Sequence, residues 1–539
     1  MRTRTILCST IVLALILCAL PGKSYGDCAT LQHFLSANAI DFTCVDSDNL
    51  LTGNPATTPA NNTGPDGTPF TKFADGTPLP APLVILPPDP AGAFAFTPIT
   101  DRGVISNDTP SNLPAVPGVQ VDGYLRDDPA GEARFLLRFP KYHWNGQLVV
   151  AGASGTRSEF NGDFAWSDYV LSKGYAYASQ NKGVLNFFLV AVSANQPGSD
   201  SFSCRLNPAS TVWVHFYDND VLALDYPGVG FNRLKPFTQW TQYMLEAARL
   251  AQRAADINYG HFPRRTYAVG TSNGGYQVRR AIEEGPDLFD GGVDWEGTYV
   301  NPDNNILETL PPAIENFPAY VASDYDPTSQ AAINIINAGY PPDIVLRDPN
   351  THKFIDSLWK HYSDSFWEVT QCQWQKRFDP TWRTYNDGPN DVTGTGGYDY
   401  GTRAAADPSI EAQVAAVTTT GKIKKPLITV AGTMDALLPI KAQARLYEAS
   451  VDASRKGNNE HREAQYRLYE VQNGNHIEAY ELIFSQLRLI EPYAHAAFDL
   501  LVDHVENKAP LPPSQCIPKN GAISQTPAQP GNCPSLFVP

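Results

Sequence analysis

The stretch 265–284, with the sequence RTYAVGTSNGGYQVRRAIEE, decides the fold. Its first five residues have the composition of a short buried strand, and residues 275–284 have the apolar spacing of a helix. Between them lies a G-x-S-x-G pentapeptide at 270–274. Its glycines permit a sharp turn that exposes the Ser272 hydroxyl and aims backbone N–H groups at a developing oxyanion. The pattern predicts a nucleophilic serine between a strand and a helix, with a plain glycine-rich loop as the alternative.

Short apolar runs and helical patterns alternate on both sides of this turn. Strands are predicted over 146–151, 174–179, 265–269, 291–295, 426–431 and 466–471, and helices over 237–257 and 275–284. Strands that alternate with helices form a parallel sheet with helices on both faces. The sequence therefore predicts an α/β fold whose mostly parallel sheet is flanked by helices.

A nucleophilic serine needs a base and an acid that orients the base. Asp435 follows the apolar run PLITVA, in a loop closed by Pro439, and His476 lies in the turn NGNH after the strand predicted at 466–471. The order Ser272, Asp435, His476 suits a sheet in which each residue follows its own strand. We therefore predict these three as a catalytic triad. A helix cap at Asp435 and an ordinary turn histidine at His476 are the alternatives.

The oxyanion of such a reaction is expected to receive a second hydrogen bond from the turn after an early strand. Small residues at 152–155 (GASG) follow LVVA, and they let the backbone approach a substrate carbonyl. We predict the backbone N–H groups of Ser154 and Asn273 as the donors. A phosphate-binding role is disfavoured because this loop has neither a Walker lysine nor G-x-G-x-x-G.

Composition and charge exclude several classes of protein. The 539 residues include 42% hydrophobic and only 18% charged residues, which disfavours disorder. Acidic residues outnumber basic ones, and the formal net charge is −16. No nucleic-acid partner is expected, because such a chain offers little to neutralise phosphates.

The first residues predict export. Residues 1–26 combine two early arginines, an apolar run at 6–20 and a small-residue cleavage site at 24–26, as signal peptides do. The apolar run falls short of the roughly 20 residues of a membrane span. We expect a secreted protein, extracellular or periplasmic, with no membrane association after cleavage.

Six cysteines follow the predicted signal peptide, and an even number in an exported chain indicates disulfides. Many pairings are possible. Proximity favours Cys28–Cys44 and Cys516–Cys533, which leaves Cys204–Cys372. No cysteine or histidine cluster has zinc spacing, so no metal site is predicted.

Composition also divides the chain into segments. They are the signal peptide 1–26, a Pro-rich N-terminal segment 27–130, a first part of the catalytic core 131–298, an inserted lid 299–420, a second part of the core 421–508, and a Pro-rich, disulfide-pinned tail 509–539. The lid lacks the strand–helix rhythm and holds four tryptophans, at 359, 367, 374 and 382. We expect them to pack in a core rather than contact a substrate.

Longer stretches of the sequence resemble two known families. WNGQLVVAGASG at 144–155 resembles the tannase and feruloyl esterase family, and residues 154–183 together with TSNGGYQVRRAIE at 271–283 are similar to 3-hydroxybutyrate oligomer hydrolases. The resemblance covers roughly 140–296 and 426–478. It implies an α/β-hydrolase fold and a secreted serine esterase, with Ser272, Asp435 and His476 as its triad.

The expected function is hydrolysis of carboxylic esters through an acyl-enzyme, on small-molecule or oligomeric esters. Hydroxyalkanoate (3-hydroxybutyrate) oligomers are the first substrate class, and phenolic esters of the tannase and feruloyl type are the alternative. A serine peptidase on the same fold and a surface-binding protein with a vestigial triad are further alternatives. No cofactor is required. The resemblance implies that structural calcium in the lid is possible, at residues 324–326 or 387–399, where solvated loops are an equal explanation.

Overall fold

Alternating apolar runs produce a sheet of ten strands that crosses the molecule. Within the residues that the structure describes, the strands in chain order are β1 (Ala39–Ser47), β2 (Gly118–Leu125), β3 (Arg134–Pro140), β4 (Gln147–Gly152), β5 (Ala176–Gln180), β6 (Phe187–Ala191), β7 (Ser203–Arg205), β8 (Val212–Phe216), β9 (Arg265–Thr271), β10 (Gly291–Trp295), β11 (Val345–Arg347), β12 (Phe354–Ser357), β13 (Leu427–Gly432), β14 (Tyr466–Val471) and β15 (Gln515–Ile517). The structure is a computed structural model, and it describes residues 26–52, 54, 57, 113–128, 133–155, 159–160, 163–183, 187–191, 203–205, 212–216, 238–379, 398–457 and 465–539.

Helices connect most of these strands. Over the same described ranges they are α1 (Cys28–Asn38), α2 (Asp168–Ser172), α3 (Thr238–Tyr259), α4 (Asn273–Glu284), α5 (Ile306–Ala322), α6 (Gln330–Asn337), α7 (Leu358–Ser365), α8 (Trp367–Phe378), α9 (Tyr400–Ala406), α10 (Pro408–Ala416), α11 (Ala444–Gly457) and α12 (Glu491–Asn507). A π-helical turn (Asp163–Ser167) precedes α2, and a 3-10 turn (Glu478–Leu482) lies between β14 and α12.

The order of strands in the large sheet is β1-β2-β3-β5-β4-β9-β10-β13-β14-β15. In this order, neighbouring strands pair antiparallel from β1 as far as β5, and they pair in parallel from β5 through β4 to β15. Two small antiparallel sheets, β6-β8-β7 and β11-β12, stand apart from it. The six strands predicted from sequence all lie in the large sheet, so the mostly parallel α/β prediction is confirmed.

Both faces of the sheet are covered. Alanines of α3, among them Ala248, Ala251 and Ala254, are buried in the same core as Leu148 of β4. Small side chains let this helix pack closely on one face. On the other face Phe498 of α12 packs with residues such as Val293 of β10. The predicted two-sided helical cover is therefore present.

The sheet extends beyond both predicted limits of the catalytic core, 131 and 508. β1 and β2 belong to the segment predicted as a Pro-rich extension, and they add two antiparallel strands next to β3. β15 belongs to the predicted tail and pairs in parallel with β14. A division by proline content misses these strands because β2 and β15 lie beside prolines and β1 is grouped with the proline-rich stretch that follows it. The division into domains otherwise stays a prediction, and residues 1–25 and 58–112 lie outside the described residues.

The segment predicted as a lid, 299–420, contains α5 to α10, and its buried residues share a hydrophobic core with residues outside the segment such as Tyr276 and Met434. Trp359, Trp367 and Trp374 are each at most 1% exposed in that core, as expected of packing residues. Trp382 lies outside the described residues. The Trp367 indole Nε1 donates to the Ala436 carbonyl at 2.7 Å, so this helical segment contacts the loop after β13 directly.

Two of the three predicted disulfides are confirmed. Cys28–Cys44 joins α1 to β1, and Cys516–Cys533 joins β15 to the chain after it. The side chains of Cys204 and Cys372 lie outside the description, although β7, which contains Cys204, contacts α8, which contains Cys372. That third pairing stays a prediction. Among the described helices, none combines the length and the apolar character that crossing a membrane requires.

Candidate active site

Ser272 lies at the turn between β9 and α4, as the sequence predicts. Its backbone has φ 59° and ψ −123°, a region that a residue with a Cβ enters at a cost of about 1–3 kcal/mol. Two hydrogen bonds hold the turn in place. The Ser272 N–H donates to the Trp295 carbonyl at 2.9 Å, and the Tyr276 N–H donates to the Ser272 carbonyl at 3.0 Å. The surrounding backbone thus maintains a conformation that lifts the serine out of the strand.

Glycines around the serine allow other loops to approach the turn. A Cβ added to Gly274 would lie 2.5 Å from the Gly152 carbonyl oxygen, and one added to Gly275 would lie 2.7 Å from Gly297 Cα. Each contact is with backbone, which no rotamer change relieves. The backbone of the serine turn therefore packs directly against the end of β4 and against the loop after β10.

Asp435 and His476 are in direct contact. His476 Nδ1 lies 2.9 Å from Asp435 Oδ2. The other carboxylate oxygen, Oδ1, accepts the N–H groups of Leu437 and Leu438, both at 2.7 Å. These bonds fix the carboxylate, which is 1% exposed, in one orientation. A carboxylate held against Nδ1 places the proton on that nitrogen and leaves Nε2 to act as a base.

A second carboxylate, Glu296, also faces this histidine. It directly follows β10 at φ 52° and is 3% exposed. Its Oε1 accepts the Gly432 N–H at 3.0 Å, and its Oε2 lies 3.3 Å from His476 Nδ1. Glu296 was not among the site residues predicted from the sequence. Its one signal is its position, since a glutamate directly after a buried parallel strand lies at the same sheet edge as the other site residues.

These residues lie on four neighbouring strands. Ser272 follows β9, Glu296 follows β10, Asp435 follows β13 and His476 follows β14, which are consecutive in the sheet and parallel. The carboxyl ends of parallel strands meet at one edge, where open α/β sheets place their sites. The topology thus brings together residues that are as much as 204 positions apart in the sequence.

Burial and neighbouring charges together set the pKa values of Glu296 and His476. Burial, reinforced by the charge of Asp435, raises the pKa of Glu296 to about 7, although His476 lowers it. Burial also lowers the pKa of His476, but Asp435 and Glu296 outweigh that and raise the pKa above its ordinary value. A raised pKa means that the imidazolium form is stabilised. That form arises when the histidine takes a proton from a serine.

The loop after β4 contacts the start of α4. The Ala153 N–H donates to Gln277 Oε1 at 2.9 Å, and Asn273 Nδ2 donates to the Gly155 carbonyl at 3.3 Å. Asn273 is the first residue of α4, and the first N–H groups of a helix have no acceptor within it. Ser154, the other predicted donor, lies between Ala153 and Gly155. Ser154 therefore lies in a loop that hydrogen-bonds to the helix that Asn273 begins.

Lys182, which sequence reasoning also missed, lies beneath this loop. Its buried Nζ donates to the Ala153 carbonyl at 2.8 Å, to the Ser154 carbonyl at 3.3 Å and to the Gly155 carbonyl. The C=O and N–H of a trans peptide group point in opposite directions. Turning the carbonyls of Ala153 and Ser154 towards Lys182 therefore turns the next two N–H groups away from it. The ammonium fixes the direction of the amides in this loop.

The helical segment 299–420 also contacts the histidine loop. The Tyr362 hydroxyl of α7 donates to Asn475 Oδ1 at 2.9 Å and accepts the Ile477 N–H at 3.3 Å. Both partners are immediate neighbours of His476. The position of the histidine backbone thus depends on contacts from α7 as well as on β14.

Metal-ligating groups also occur in the described part of the chain. Ligand atoms of Glu296, Asp435 and His476 lie within 4.8 Å of one another. Asp435 and His476 hydrogen-bond to each other, and Glu296 Oε1 accepts the Gly432 N–H. In the acidic stretch proposed for calcium, the Asp324 carboxylate pairs with Arg347 at 2.9 Å and the Asp326 carboxylate accepts from Thr328 at 2.8 Å. Most of the second stretch, residues 387–397 of 387–399, lies outside the described residues. Calcium in the lid stays a prediction.

The fold belongs to the α/β-hydrolase class. A mostly parallel sheet, helices on both faces and a serine on the strained turn after a central strand define that class. A family model described as 3HB-oligomer hydrolase (3HBOH) matches residues 391–537. The matched range includes Asp435 and His476, whereas Ser272 lies outside it.

This chain is also similar to known proteins in sequence and to solved structures in fold. D-(-)-3-hydroxybutyrate oligomer hydrolase of Burkholderia thailandensis is 35% identical over 111 residues, and that of Burkholderia mallei is 36% identical over 110 residues. These alignments cover 20% and 19% of this chain, and the chain spans only 15% of each relative. Feruloyl esterase B from Aspergillus oryzae has a TM-score of 0.45 at 12% identity, covering 89% of this chain and 90% of its own. Tannin acyl hydrolase from Aspergillus niger has a TM-score of 0.39 at 13% identity, covering 78% and 85%.

Proposed function

We propose that the protein is a secreted serine carboxylic-ester hydrolase with Ser272, His476 and Asp435 as its catalytic triad. The observation that carries the proposal is the 2.9 Å contact between His476 Nδ1 and the buried Asp435, at the same sheet edge as the strained Ser272 turn. A fixed acid, a histidine whose Nδ1 faces that acid and a partly exposed serine are the parts that acyl transfer needs.

The reaction proceeds in two halves. His476 Nε2 takes the hydroxyl proton of Ser272 as Oγ attacks the ester carbonyl carbon, and Asp435 stabilises the imidazolium that results. The N–H groups of Asn273 and Ser154 donate to the oxyanion. His476 then protonates the leaving alcohol, which departs. Water attacks the acyl-enzyme with His476 again as base, releasing the carboxylic acid and regenerating Ser272.

The substrate class we favour is the ester of a hydroxyalkanoate oligomer, with 3-hydroxybutyrate as the monomer. The match of residues 391–537 to the 3HB-oligomer hydrolase model supports this choice, as do the two Burkholderia relatives. The two disulfides are consistent with an oxidising compartment and therefore with export.

The experiment that tests the function measures acid release by the mature, disulfide-bonded protein from a 3-hydroxybutyrate trimer and from methyl ferulate. Faster turnover of the trimer supports the favoured substrate class, and faster turnover of methyl ferulate replaces it with phenolic esters. A fluorophosphonate probe, with peptide mapping of the adduct, identifies the nucleophile. If the probe reacts at Ser272 while neither ester is hydrolysed, peptides become the substrates to test. If it does not react, the triad is wrong.

Lys182→Met is expected to lower kcat for ester hydrolysis about tenfold or more, with a smaller change in KM. Loss of one oxyanion donor costs about 10²- to 10³-fold, and Lys182 acts on such a donor indirectly by orienting the 153–155 loop. Methionine keeps most of the side-chain volume but removes the ammonium. Steady-state kinetics on a p-nitrophenyl ester measures the effect.

The matched control for this change is Lys173→Met. Lys173 pairs on the surface with Asp499 at 2.6 Å, away from the site, and its side chain is 37% exposed. Kinetic constants for this variant should equal those of wild type. A well-folded Lys182→Met protein with wild-type kcat would show that the ammonium does not orient the loop.

A further inference from the structure

A second carboxylate, that of Glu296, faces His476 and has no role in the proposed triad. Glu296 Oε2 is buried, and among the polar atoms of the described residues it has no conventional hydrogen-bond partner. The atom it faces is His476 Nδ1, at 3.3 Å. The other carboxylate oxygen, Oε1, accepts the Gly432 N–H at 3.0 Å, and this hydrogen bond fixes the orientation of the carboxylate. A triad requires one acid, and this arrangement provides two.

We propose that Glu296 is a second positioning residue for His476, sharing with Asp435 the orientation of the imidazole and the stabilisation of its cation. The inference rests on the proposed function, since it assigns a role within the same triad. The two carboxylates come from adjacent strands, β10 and β13, and approach the same nitrogen at 3.3 and 2.9 Å. A proton on Nδ1 therefore has two acceptors, and an imidazolium has two negative neighbours.

The electrostatic surroundings of Glu296 determine how its removal would act. Asp435 and His476 face it across the sheet edge, while Glu478 of the 3-10 turn and Tyr362 of α7 also interact with its charge. The cationic partner in this group is His476 when protonated. The charge of Glu296 therefore favours the protonated histidine.

Removal of the Glu296 charge is expected to shift the pH dependence of the rate. A general base must be neutral in the resting enzyme, so activity rises with pH as His476 loses its proton. An anionic Glu296 raises the pKa of His476, and a neutral residue in its place lowers it. Glu296→Gln keeps the amide carbonyl oxygen for the Gly432 N–H but removes the charge. The acidic limb of the rate profile should move to lower pH by about one unit, as expected when one adjacent charge is lost.

The test uses the rate at which a fluorophosphonate inactivates the mature protein between pH 5 and 10, because this readout needs no knowledge of the substrate. Wild type is compared with Glu296→Gln and with Glu470→Gln. Glu470 is a matched control, since it is equally buried but pairs with Arg445 at 2.7 Å and has no contact with His476. We expect the limb to shift in Glu296→Gln and to coincide with wild type in Glu470→Gln.

Two other outcomes would overturn the inference in distinguishable ways. If wild type reacts at Ser272 and the Glu296→Gln profile coincides with it, Glu296 has no positioning role while the triad stands. If wild type does not react at all, the proposed function fails and the inference fails with it. Equal shifts in Glu296→Gln and Glu470→Gln would indicate a general loss of structure, which also contradicts a specific role.

A second variant tests the inference without altering Glu296. Asp435→Asn preserves the oxygen that accepts the Leu437 and Leu438 N–H groups but removes the first acid. Removal of a sole orienting acid lowers kcat by about 10⁴-fold in serine proteases. With Glu296 still facing Nδ1, we expect a loss of about 10²-fold. A loss of the full 10⁴-fold in a folded protein would show that Asp435 acts alone.

Discussion

Ser272→Ala is expected to lower kcat for ester hydrolysis by about 10⁴- to 10⁶-fold. Without Oγ no acyl-enzyme forms, and the remaining rate comes from substrate binding and the oxyanion donors alone. The fold should be little affected, because alanine at φ 59° meets the same backbone conformation as serine. Acid release from the 3-hydroxybutyrate trimer, followed with both proteins at equal concentration, measures the loss.

The control for this substitution is Ser454→Ala. Ser454 lies on α11, and its hydroxyl donates to the Gly421 carbonyl at 2.7 Å, remote from the sheet edge. This variant should hydrolyse the trimer at the wild-type rate. Ester hydrolysis that survives in Ser272→Ala at the wild-type rate would mean that another group carries the reaction, and the triad would have to be abandoned.

Gly274→Ala is expected to reduce the free energy of unfolding by about 3 kcal/mol and to lower kcat by about 10²-fold. The added Cβ would lie 2.5 Å from the Gly152 carbonyl oxygen, so the serine turn and the 152–155 loop must separate. Overpacking at such contacts costs about 1–3 kcal/mol. A displacement of about 1 Å between catalytic groups costs about two orders of magnitude in rate. Urea unfolding and steady-state kinetics give the two values.

Gly401→Ala is the matched control for this change. Gly401 is the second residue of α9, and the nearest atom to an added Cβ is 3.5 Å away, an ordinary contact. Alanine there should leave stability unchanged or raise it by about 0.4–1 kcal/mol, because it restricts the unfolded chain. If Gly274→Ala unfolded at the same urea concentration as wild type, the serine turn would not be in contact with the loop.

The parts of the fold that follow from local pattern were predictable. β10 and β14 have the bounds that the apolar runs indicate, and the helix predicted at 275–284 begins two residues earlier, at Asn273. Ser272, Asp435 and His476 were found because each follows such a strand in a recognisable turn. Their roles stay a prediction until the experiments above are done.

Residues whose role depends on a neighbour were not predictable from one sequence. Glu296 has significance only because β10 lies between β9 and β13, which is a property of strand order. Lys182 acts on a loop 27 to 29 positions earlier, and no local motif marks such a contact. β1, β2 and β15 were missed for the same reason, since their places in the sheet depend on pairing with other strands, which their own composition does not mark.

Hydrogen bonds between Asn473 and Val538 affect the order in which the site is assembled. Asn473, three residues before His476, donates its side-chain amide to the Val538 carbonyl at 2.5 Å and accepts the Val538 N–H at 2.9 Å. A ribosome produces a chain from its amino to its carboxyl end. Ser272, Asp435 and His476 therefore all leave the ribosome before the residue that secures the histidine loop. The histidine loop therefore gains these two hydrogen bonds only after Val538 has been synthesised and has docked on Asn473.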